Sequence, residues 1–337
     1  MSEPGNPKDS ASAPIFLNKK NVRNFVVLLL KIGIASALLY WLVSSGRLEF
    51  SHLRNISWSP RTLGLVMLGV AAVWAGLLLL SLRLCLMVRS GGIELSLRRA
   101  FSLTSIGAFS GSILPGVVGG DVVKVVYLCR GEASTQRTFA TTAIMCDRAV
   151  GLFSLFLLGS IVLIQSWAIG SLPFWSPILL IAPFGVLSAM IAVTILSRKR
   201  FPETFSLGNR GRNLASRIHM AVCVADHFVH RPFLLAGCIG LSLANHILVC
   251  CTFLIAAELL GGIEISSLQQ FLLNPIAMVM NIVPITPGGV GVTESAFSYL
   301  YFAAGCSIGA TIGILGRTIQ YIAFIFVGFP AFIFRGK

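Results

Sequence analysis

Long apolar runs alternate with short polar segments along most of the 337-residue chain. Six runs each hold roughly 20 or more mostly apolar residues, enough for a helix to cross a hydrocarbon core of ~30 Å. These runs cover residues 24–44, 62–82, 139–166, 177–196, 232–260 and 309–334. The pattern predicts an all-α polytopic membrane protein with about six spanning helices.

Two further apolar regions, residues 100–137 and 261–307, are interrupted by proline and glycine. Basic residues stand at both ends of the first region, and the second region contains no Lys or Arg. Because basic loops stay in the cytoplasm, we expect the first region to begin and end inside and the second to begin and end outside. One re-entrant helical hairpin in each region, entering from opposite faces, satisfies these charges. Two full-length pairs of helices satisfy them as well.

Composition and charge favour a membrane protein over a nucleic-acid binder. Hydrophobic residues make up 55% of the chain and charged residues 11%, with a formal net charge of +14, whereas a soluble domain carries about 25% charged residues. The basic residues cluster in segments 8–23, 83–99, 124–137, 198–231 and 335–337. This positive-inside distribution predicts a multi-pass protein of the cell (inner or plasma) membrane, with both termini cytoplasmic and no nucleic-acid partner.

The same pattern divides the chain into a tail and one transmembrane domain. Residues 1–21 are expected to form a disordered cytoplasmic tail, and residues 22–337 a single transmembrane domain. Within this domain, two half-repeats of inverted topology are predicted at about 62–166 and 232–334, with the basic cytoplasmic segment 198–231 before the second. Inverted repeats are typical of secondary transporters, whose sites lie at the repeat interface near the midplane of the bilayer.

The two interrupted regions carry matching turn motifs. Each turns at Pro-Gly-x-x-Gly and then reaches an acid, Asp121 six residues after its proline and Glu294 seven residues after its own. Glycine permits the positive φ and close backbone approach that such a break needs, and proline ends the incoming helix. The predicted turn residues are Pro115, Gly116, Gly119 and Gly120 in the first region and Pro287, Gly288, Gly289 and Gly291 in the second.

Charged residues at membrane depth are costly and mark candidate sites. Six are predicted to form a substrate-binding or translocation site: Asp121, Lys124, Asp147, Arg148, Glu294 and Arg317. Arg148 and Arg317 follow the two acids in the next long runs, and we expect them to bind phosphate bidentately. The helices that restart after each break add N-terminal amides that favour an anion. Asp121 and Glu294 are then counter-charges or proton carriers.

The same charges allow a structural interpretation. Asp121 and Lys124 are spaced i, i+3 on one helical face and can neutralise each other. Asp147 and Arg148 are adjacent and point to different faces, so each needs a partner from another helix. A buried ion-pair network that only orients helices is therefore the alternative. Interhelical hydrogen bonds are expected for the polar residues within apolar runs: Asn245, His246, Asn274, Asn281 and Gln320.

Four segments resemble a known family: LPGVVGGDVVKVVYL, TTAIMCDRAVGL, VPITPGGVGVTESAF and ILGRTIQYIAF. They are similar to the lysylphosphatidylglycerol synthase transmembrane-region family, the flippase-like integral membrane proteins related to the membrane half of the multiple peptide resistance factor. The resemblance implies a flippase-like fold and movement of a phospholipid or polyprenyl-phosphate lipid between leaflets. Two departures stand out. The 337 residues include no aminoacyl-tRNA-dependent synthase domain, and Asp147-Arg148 replaces the Glu-Arg of many relatives.

The favoured function is therefore a flippase that moves an anionic lipid through a cavity between the two hairpins, with proton or ion coupling and homo-oligomerisation left open. One alternative is an intramembrane lipid-modifying or phosphotransfer enzyme with Asp121 or Glu294 as general base. Another is a non-transporting membrane partner of a separate synthase. No cofactor or metal is expected, because the cysteines and histidines lack metal-ligand spacing and no Walker loop occurs.

Overall fold

The computed structural model describes residues 19–48, 50–113, 119–129, 134–167, 227–228, 230–261, 263, 265–280 and 286–334. Within these ranges the chain forms ten α-helices and no strand. In chain order they are α1 Lys19–Ser44, α2 Phe50–Arg54, α3 Pro60–Ser90, α4 Leu97–Ile113, α5 Gly119–Leu128, α6 Ser134–Trp167, α7 Pro232–Leu260, α8 Ser267–Val279, α9 Val292–Ala303 and α10 Gly309–Phe334. The prediction of an all-α polytopic membrane protein is confirmed.

Four of the described helices are long and apolar enough to cross a membrane: Pro60–Ser90, Gln136–Ile161, Pro232–Leu260 and Gly309–Ile333. They coincide with four of the six predicted runs. The run 24–44 lies within α1, which has 26 residues, and the run 177–196 lies outside the described residues. The tail 1–21 and the basic segment 198–231 also lie mostly outside them.

The ends of these helices follow from local sequence. The Ser59 side chain accepts a hydrogen bond from the backbone N–H of Thr62, and Pro60 occupies the first turn of α3. Ser266 and Gln269 form a capping box at the start of α8. Gly261, with φ of 67°, follows the last residue of α7, a left-handed conformation that glycine adopts without a steric penalty.

Helix α3 is longer than the sequence predicted. The hydrophobic pattern predicts a run that ends at Leu82 and gives way to the basic segment 83–99, but the helix continues to Ser90. Arg83 therefore lies inside the helix, where it is buried with 5% exposure. A buried arginine is stable only when it is paired and hydrogen-bonded, and this one is paired with an acid on α6.

Two interior clusters hold the bundle together. One joins α3 to α4, α6 and α7 through buried residues such as Leu84, Leu103 and Ile144. The other joins α3 and α7 to α9 and α10, and includes Phe253 and Phe297, whose ring centroids are 4.7 Å apart. The outward faces carry exposed large apolar side chains, as expected of helices that are solvated by lipid tails rather than water.

Each interrupted region forms a pair of short helices. In the first, α4 has 17 residues and α5 has 10. In the second, α8 has 13 residues and α9 has 12. All four are shorter than the roughly 20 residues that a spanning helix requires. We call residues 114–118, between α4 and α5, the first break, and residues 280–291, between α8 and α9, the second break.

The second break needs glycine at three positions. Gly288, Gly289 and Gly291 have φ values of 59°, 71° and 84°, a left-handed region that side chains with a Cβ rarely occupy. Pro287 starts a short 3₁₀ turn that ends at Gly289. In the first break, Pro115 and Gly116 lie outside the described residues, whereas Gly119 and Gly120 form the start of α5.

Candidate functional site

A cavity with a volume of about 360 Å³ opens between the helices of the bundle, within the size range of small-molecule sites. Its lining combines residues from α3, α4, α5 and α6 with residues from α7, the second break, α9 and α10. Both interrupted regions therefore contribute to one space, which we call the central cavity. Four of the six predicted charged site residues line it, Asp121, Lys124, Arg148 and Arg317, together with the predicted turn residues Gly120 and Gly288.

The first acid is placed by the restart of α5. Asp121 lies in the first turn of this helix and is 4% exposed. One carboxylate oxygen, Oδ2, pairs with Nε of Arg148 on α6, and the other lies 3.6 Å from Nζ of Lys124. The predicted i, i+3 pairing of Asp121 with Lys124 is confirmed. The arginine keeps contact with the cavity, because its side chain remains 37% exposed.

Glycines allow α5 to approach α4 closely enough for this arrangement. A Cβ added to Gly120 would lie 2.1 Å from the backbone oxygen of Gly107, and a Cβ added to Gly107 would lie 2.4 Å from Cε of Lys124. Neither distance is compatible with a real side chain. Small residues at a helix crossing are typical of membrane bundles, where they let backbones pack together. Here they hold Asp121 and Lys124 against the cavity wall.

The second acid is more deeply enclosed. Glu294 lies in the first turn of α9, is 1% exposed, and accepts a hydrogen bond of 2.6 Å from the backbone N–H of Gly291 through Oε2. Its other oxygen, Oε1, lies 3.3 Å from Nε of Arg317 on α10. Arg317 also donates from Nη1 to the carbonyl oxygen of Gly288 at 3.0 Å. One arginine therefore fixes both the carboxylate and the backbone of the second break.

Glu294 does not line the central cavity itself, but its ion-pair partner Arg317 does. It is not among the described residues that line the space, whereas Arg317 and Gly288 are. A Cβ built on Gly288 would approach the hydroxyl of Tyr321 to 3.3 Å and the carbonyl oxygen of Ser112, at the end of α4, to 3.6 Å. The second break thus packs against the last turn of the helix that leads into the first.

Asp147 occupies a separate site. Its two oxygens accept hydrogen bonds of 2.6 and 2.8 Å from Nε and Nη2 of Arg83 on α3. Arg83 also donates from Nη1 to Ser242 Oγ on α7 at 2.6 Å. Asp147 is 7% exposed and does not appear among the described lining residues of the central cavity. The prediction that Asp147 and Arg148 need partners on different helices is confirmed.

The sequence pattern does not single out Arg83 as a site residue, because the residue begins the basic segment 83–99. One feature of the sequence does indicate that it lies within a helix. The five residues after Arg83 are Leu, Cys, Leu, Met and Val, so the apolar run continues for more than a helical turn beyond the charge. An arginine flanked on both sides by apolar residues is a candidate for an ion pair inside a bundle.

Among the polar residues predicted to form interhelical hydrogen bonds, some form such bonds and others line the central cavity. The hydroxyl of Tyr301 donates to Asn274 Oδ1 at 2.7 Å, which links α8 to α9. His246 Nε2 lies 3.0 Å from the carbonyl oxygen of Gly151 on α6. His246 also lines the central cavity, together with Asn245 and Gln320. Asn281 lies outside the described residues.

The charge of the site favours an anion. Lys124, Arg148 and Arg317 supply three formal positive charges, against two negative charges from Asp121 and Glu294, which leaves one positive charge unbalanced. Guanidinium groups bind phosphate through paired N–H donors. In the part of the chain that the structure describes, no group of three His, Cys, Asp or Glu side chains is placed to hold a metal ion.

The two pairs of short helices and the charged cavity agree with the resemblance that the four sequence segments carry. Among curated proteins, none matches the chain. A family model described as the lysylphosphatidylglycerol synthase TM region matches residues 28–328, nearly the whole chain, and the protein belongs to that family of membrane proteins.

Proposed function

We propose that this protein is a flippase that moves a lipid with an anionic headgroup between membrane leaflets. The observation that carries the proposal is the central cavity inside an apolar bundle, which collects Lys124 of the first interrupted region together with Arg148 and Arg317 of the long helices that follow the two regions. The headgroup would be held there while its acyl chains remain in the surrounding lipid. The family membership supports a membrane protein of this kind.

Two re-entrant hairpins are part of the proposal. Each of the four short helices can reach only part of the way across the hydrocarbon core. Backbone that leaves a helix at membrane depth must be buried in protein or must line a wet cavity, and Gly288 of the second break lines the central cavity. In this scheme the hairpins enter from opposite faces as an inverted repeat, and both termini are cytoplasmic.

Exchange of ion-pair partners gives a mechanism for binding and release. In the resting arrangement Asp121 satisfies Arg148 and Lys124. A lipid phosphate that enters the cavity competes with the carboxylate for these cations, because phosphate offers the same bidentate acceptor geometry to a guanidinium. When the phosphate leaves, Asp121 pairs with the cations again, so no charge stays unpaired in the membrane. Transient protonation of Asp121 is the step at which proton coupling would act.

Proteoliposomes that contain fluorescent phosphatidylglycerol test this proposal through the rate at which label becomes accessible to an external quencher. We expect the wild-type protein to move the lipid and Arg148→Gln to slow it about tenfold or more, because a charge-assisted contact is lost. Arg61→Gln is the matched control. Arg61 also pairs with an acid, Glu258 at 2.8 Å, but the two side chains are 81% and 57% exposed.

Equal rates for Arg148→Gln and Arg61→Gln would contradict the assignment of the site. A purified wild-type protein that binds the lipid but does not move it would contradict the transport proposal and favour the partner-subunit alternative. Conversion of the lipid into a new species, detected by mass spectrometry, would favour the enzyme alternative.

Cysteine labelling tests the opposed hairpins. Ser96, directly before α4, and Ser267, the first residue of α8, are both exposed at the start of the two interrupted regions. In a background without the eight native cysteines, we expect Ser96→Cys and Ser267→Cys to react with a membrane-impermeant maleimide added from opposite sides. Labelling of both positions from one side only would show that the inverted arrangement is wrong.

A further inference from the structure

We infer that Arg83 and Asp147 are positioning residues, whose ion pair fixes the orientation of α6 and thereby directs Arg148 into the central cavity. The role of Arg148 in lipid binding belongs to the proposed function, and this inference rests on the proposed function at that point. The orientation of α6 itself can be tested without a lipid.

The contact between Arg83 and Asp147 is directional. Nε and Nη2 of the arginine donate to the two oxygens of the carboxylate at 2.6 and 2.8 Å, and Nη1 donates to Ser242 Oγ on α7 at 2.6 Å. Both charged residues are buried. A bidentate contact between a guanidinium and a carboxylate fixes the relative orientation of the two groups as well as their distance. Helices α3 and α7 therefore hold one face of α6 together.

The next turn of α6 is held on the same face. Gly151 follows Asp147 by four residues, a spacing that places the two positions one above the other on a helix. The carbonyl oxygen of Gly151 accepts a hydrogen bond of 3.0 Å from His246 Nε2 on α7. A Cβ added to Gly151 would lie 3.2 Å from Nη1 of Arg83, so the guanidinium packs directly against the backbone of α6.

Arg148 lies in this same turn of α6. Adjacent residues of an α-helix are about 100° apart around its axis, so fixing Asp147 toward α3 also fixes the direction of Arg148, which pairs with Asp121 on α5. A rotation of α6 by about 20° would move side-chain atoms at about 5–6 Å from the helix axis by about 2 Å. A displacement of about 1 Å is enough to weaken a contact that depends on orientation.

Arg148 is not equipped to hold its own helix. Its side chain is 37% exposed, and its partner Asp121 is shared with Lys124. In the proposed mechanism Arg148 also releases this partner when a phosphate enters. The buried pair one residue earlier in the chain takes no part in that exchange, so it keeps α6 oriented while Arg148 changes partners.

Cross-linking tests the orientation of α6 directly. Asp121→Cys and Arg148→Cys, introduced together in a background without the eight native cysteines, place thiols at two positions whose side chains meet in the structure. A short bifunctional thiol reagent should link them in the purified protein. Arg83→Met/Asp147→Leu removes both charges of the buried pair, a change that is often neutral for stability, and should slow this cross-linking severalfold.

Arg61→Gln is the matched control, because the pair of Arg61 with Glu258 is exposed, and it should leave the cross-linking rate unchanged. Gly151→Ala is a milder second variant that presses a methyl group against the guanidinium while both charges remain. Its control is Gly159→Ala on the same helix, where a Cβ meets nothing within 4 Å. The inference is overturned if neither the double variant nor Gly151→Ala slows cross-linking relative to its control.

Binding of fluorescent phosphatidylglycerol in detergent connects this orientation to function. Arg83→Lys keeps the charge but loses the planar fork. It should weaken binding severalfold in the wild type and in Lys124→Gln, but not in Arg148→Gln, where no guanidinium remains to be directed. A general loss of structure would weaken binding by the same factor in all three backgrounds, and that result would overturn the link between Arg83 and Arg148.

The two measurements separate this inference from the proposed function. If cross-linking slows as expected but the wild-type protein neither binds nor moves phosphatidylglycerol, the proposed function loses its support and the orientation of α6 by Arg83 stands. If the wild-type protein moves the lipid and cross-linking is unchanged in both variants, the proposed function stands and the positioning role is wrong.

Discussion

The two breaks place the same pair of residue types at corresponding points, an acid in the first turn after the break and an arginine on the following long helix. The pairs differ in burial. The side chain of Arg148 is 37% exposed, whereas that of Arg317 is 11% exposed and that of Glu294 is 2% exposed. The first acid has a second cation, Lys124, and the second acid has a backbone donor, the N–H of Gly291.

The difference in burial indicates that the two acid–arginine pairs have different roles. At the second break, the arginine and the acid both hold the backbone, through the carbonyl of Gly288 and the N–H of Gly291. Removal of either group would leave the other as a buried charge without its ionic partner. In the first interrupted region, the close contact of Gly120 with Gly107 places α5 against α4, so the charges there are freer to exchange partners. The four changes below test this comparison, from the largest expected effect on stability to the smallest.

Arg317→Ala should destabilise the protein most. It leaves the carboxylate of Glu294 buried and unpaired, and such losses cost about 3–5 kcal/mol. Thermal unfolding in detergent should show a large loss of stability. Adding Glu294→Gln to Arg317→Ala should recover part of it, because the lone charge is then absent. If the single variant is as stable as the wild type, Arg317 does not hold the second break.

Gly120→Ala should come next, through packing rather than charge. The new methyl group would lie 2.1 Å from the backbone oxygen of Gly107, which forces α5 away from α4, and overpacking of this kind costs about 1–3 kcal/mol. Gly240→Ala on α7 is the control, since a Cβ there meets nothing within 4 Å. The same thermal measurement should show little change for the control. Similar losses for both variants would mean that the contact of Gly120 with Gly107 is not what positions α5 against α4.

Arg148→Ala should affect stability less than Arg317→Ala although it slows lipid movement. Asp121 keeps Lys124 as a partner, and the partly exposed arginine contributes about 1–2 kcal/mol as a charged hydrogen-bonding partner. Unfolding and flipping should be measured on the same preparation. A stability loss as large as that of Arg317→Ala would show that the two acid–arginine pairs contribute equally to stability.

Arg61→Ala should have the smallest effect. Its ion pair with Glu258 is exposed on both sides, and pairs of this kind contribute less than about 1 kcal/mol. Neither thermal stability nor lipid movement should change measurably, and added salt should not alter the comparison with wild type. A large loss would mean that surface pairs in this protein matter as much as buried ones.

Much of the fold was readable from the sequence because length and hydrophobicity determine which segments can cross a membrane. The positions of Asp121 and Glu294 after glycine-rich segments also indicated where buried ion pairs form. Both acids lie in the first helical turn after a break, and each pairs with the arginine of the next long helix. Local composition was sufficient here because the breaks and charges lie close together in the chain.

The placement of Arg83 and Asp147 could not be predicted in the same way. When basic residues are used to locate loops, an arginine at the end of an apolar run is assigned to a loop. It can lie inside a helix only if another helix supplies an acid to pair with it. The partner lies 64 residues away in sequence.

The pair of Arg83 with Asp147 also has a consequence for synthesis of the protein. Helix α3 enters the membrane with its arginine before α6 is made, and an arginine within a spanning helix makes insertion less favourable. Since Asp147 lies 64 residues later, a ribosome that adds about 5–20 residues per second leaves Arg83 without this partner for about 3–13 s. The order of translation therefore favours early contact between α3 and α6, before α7 and its Ser242 complete the site.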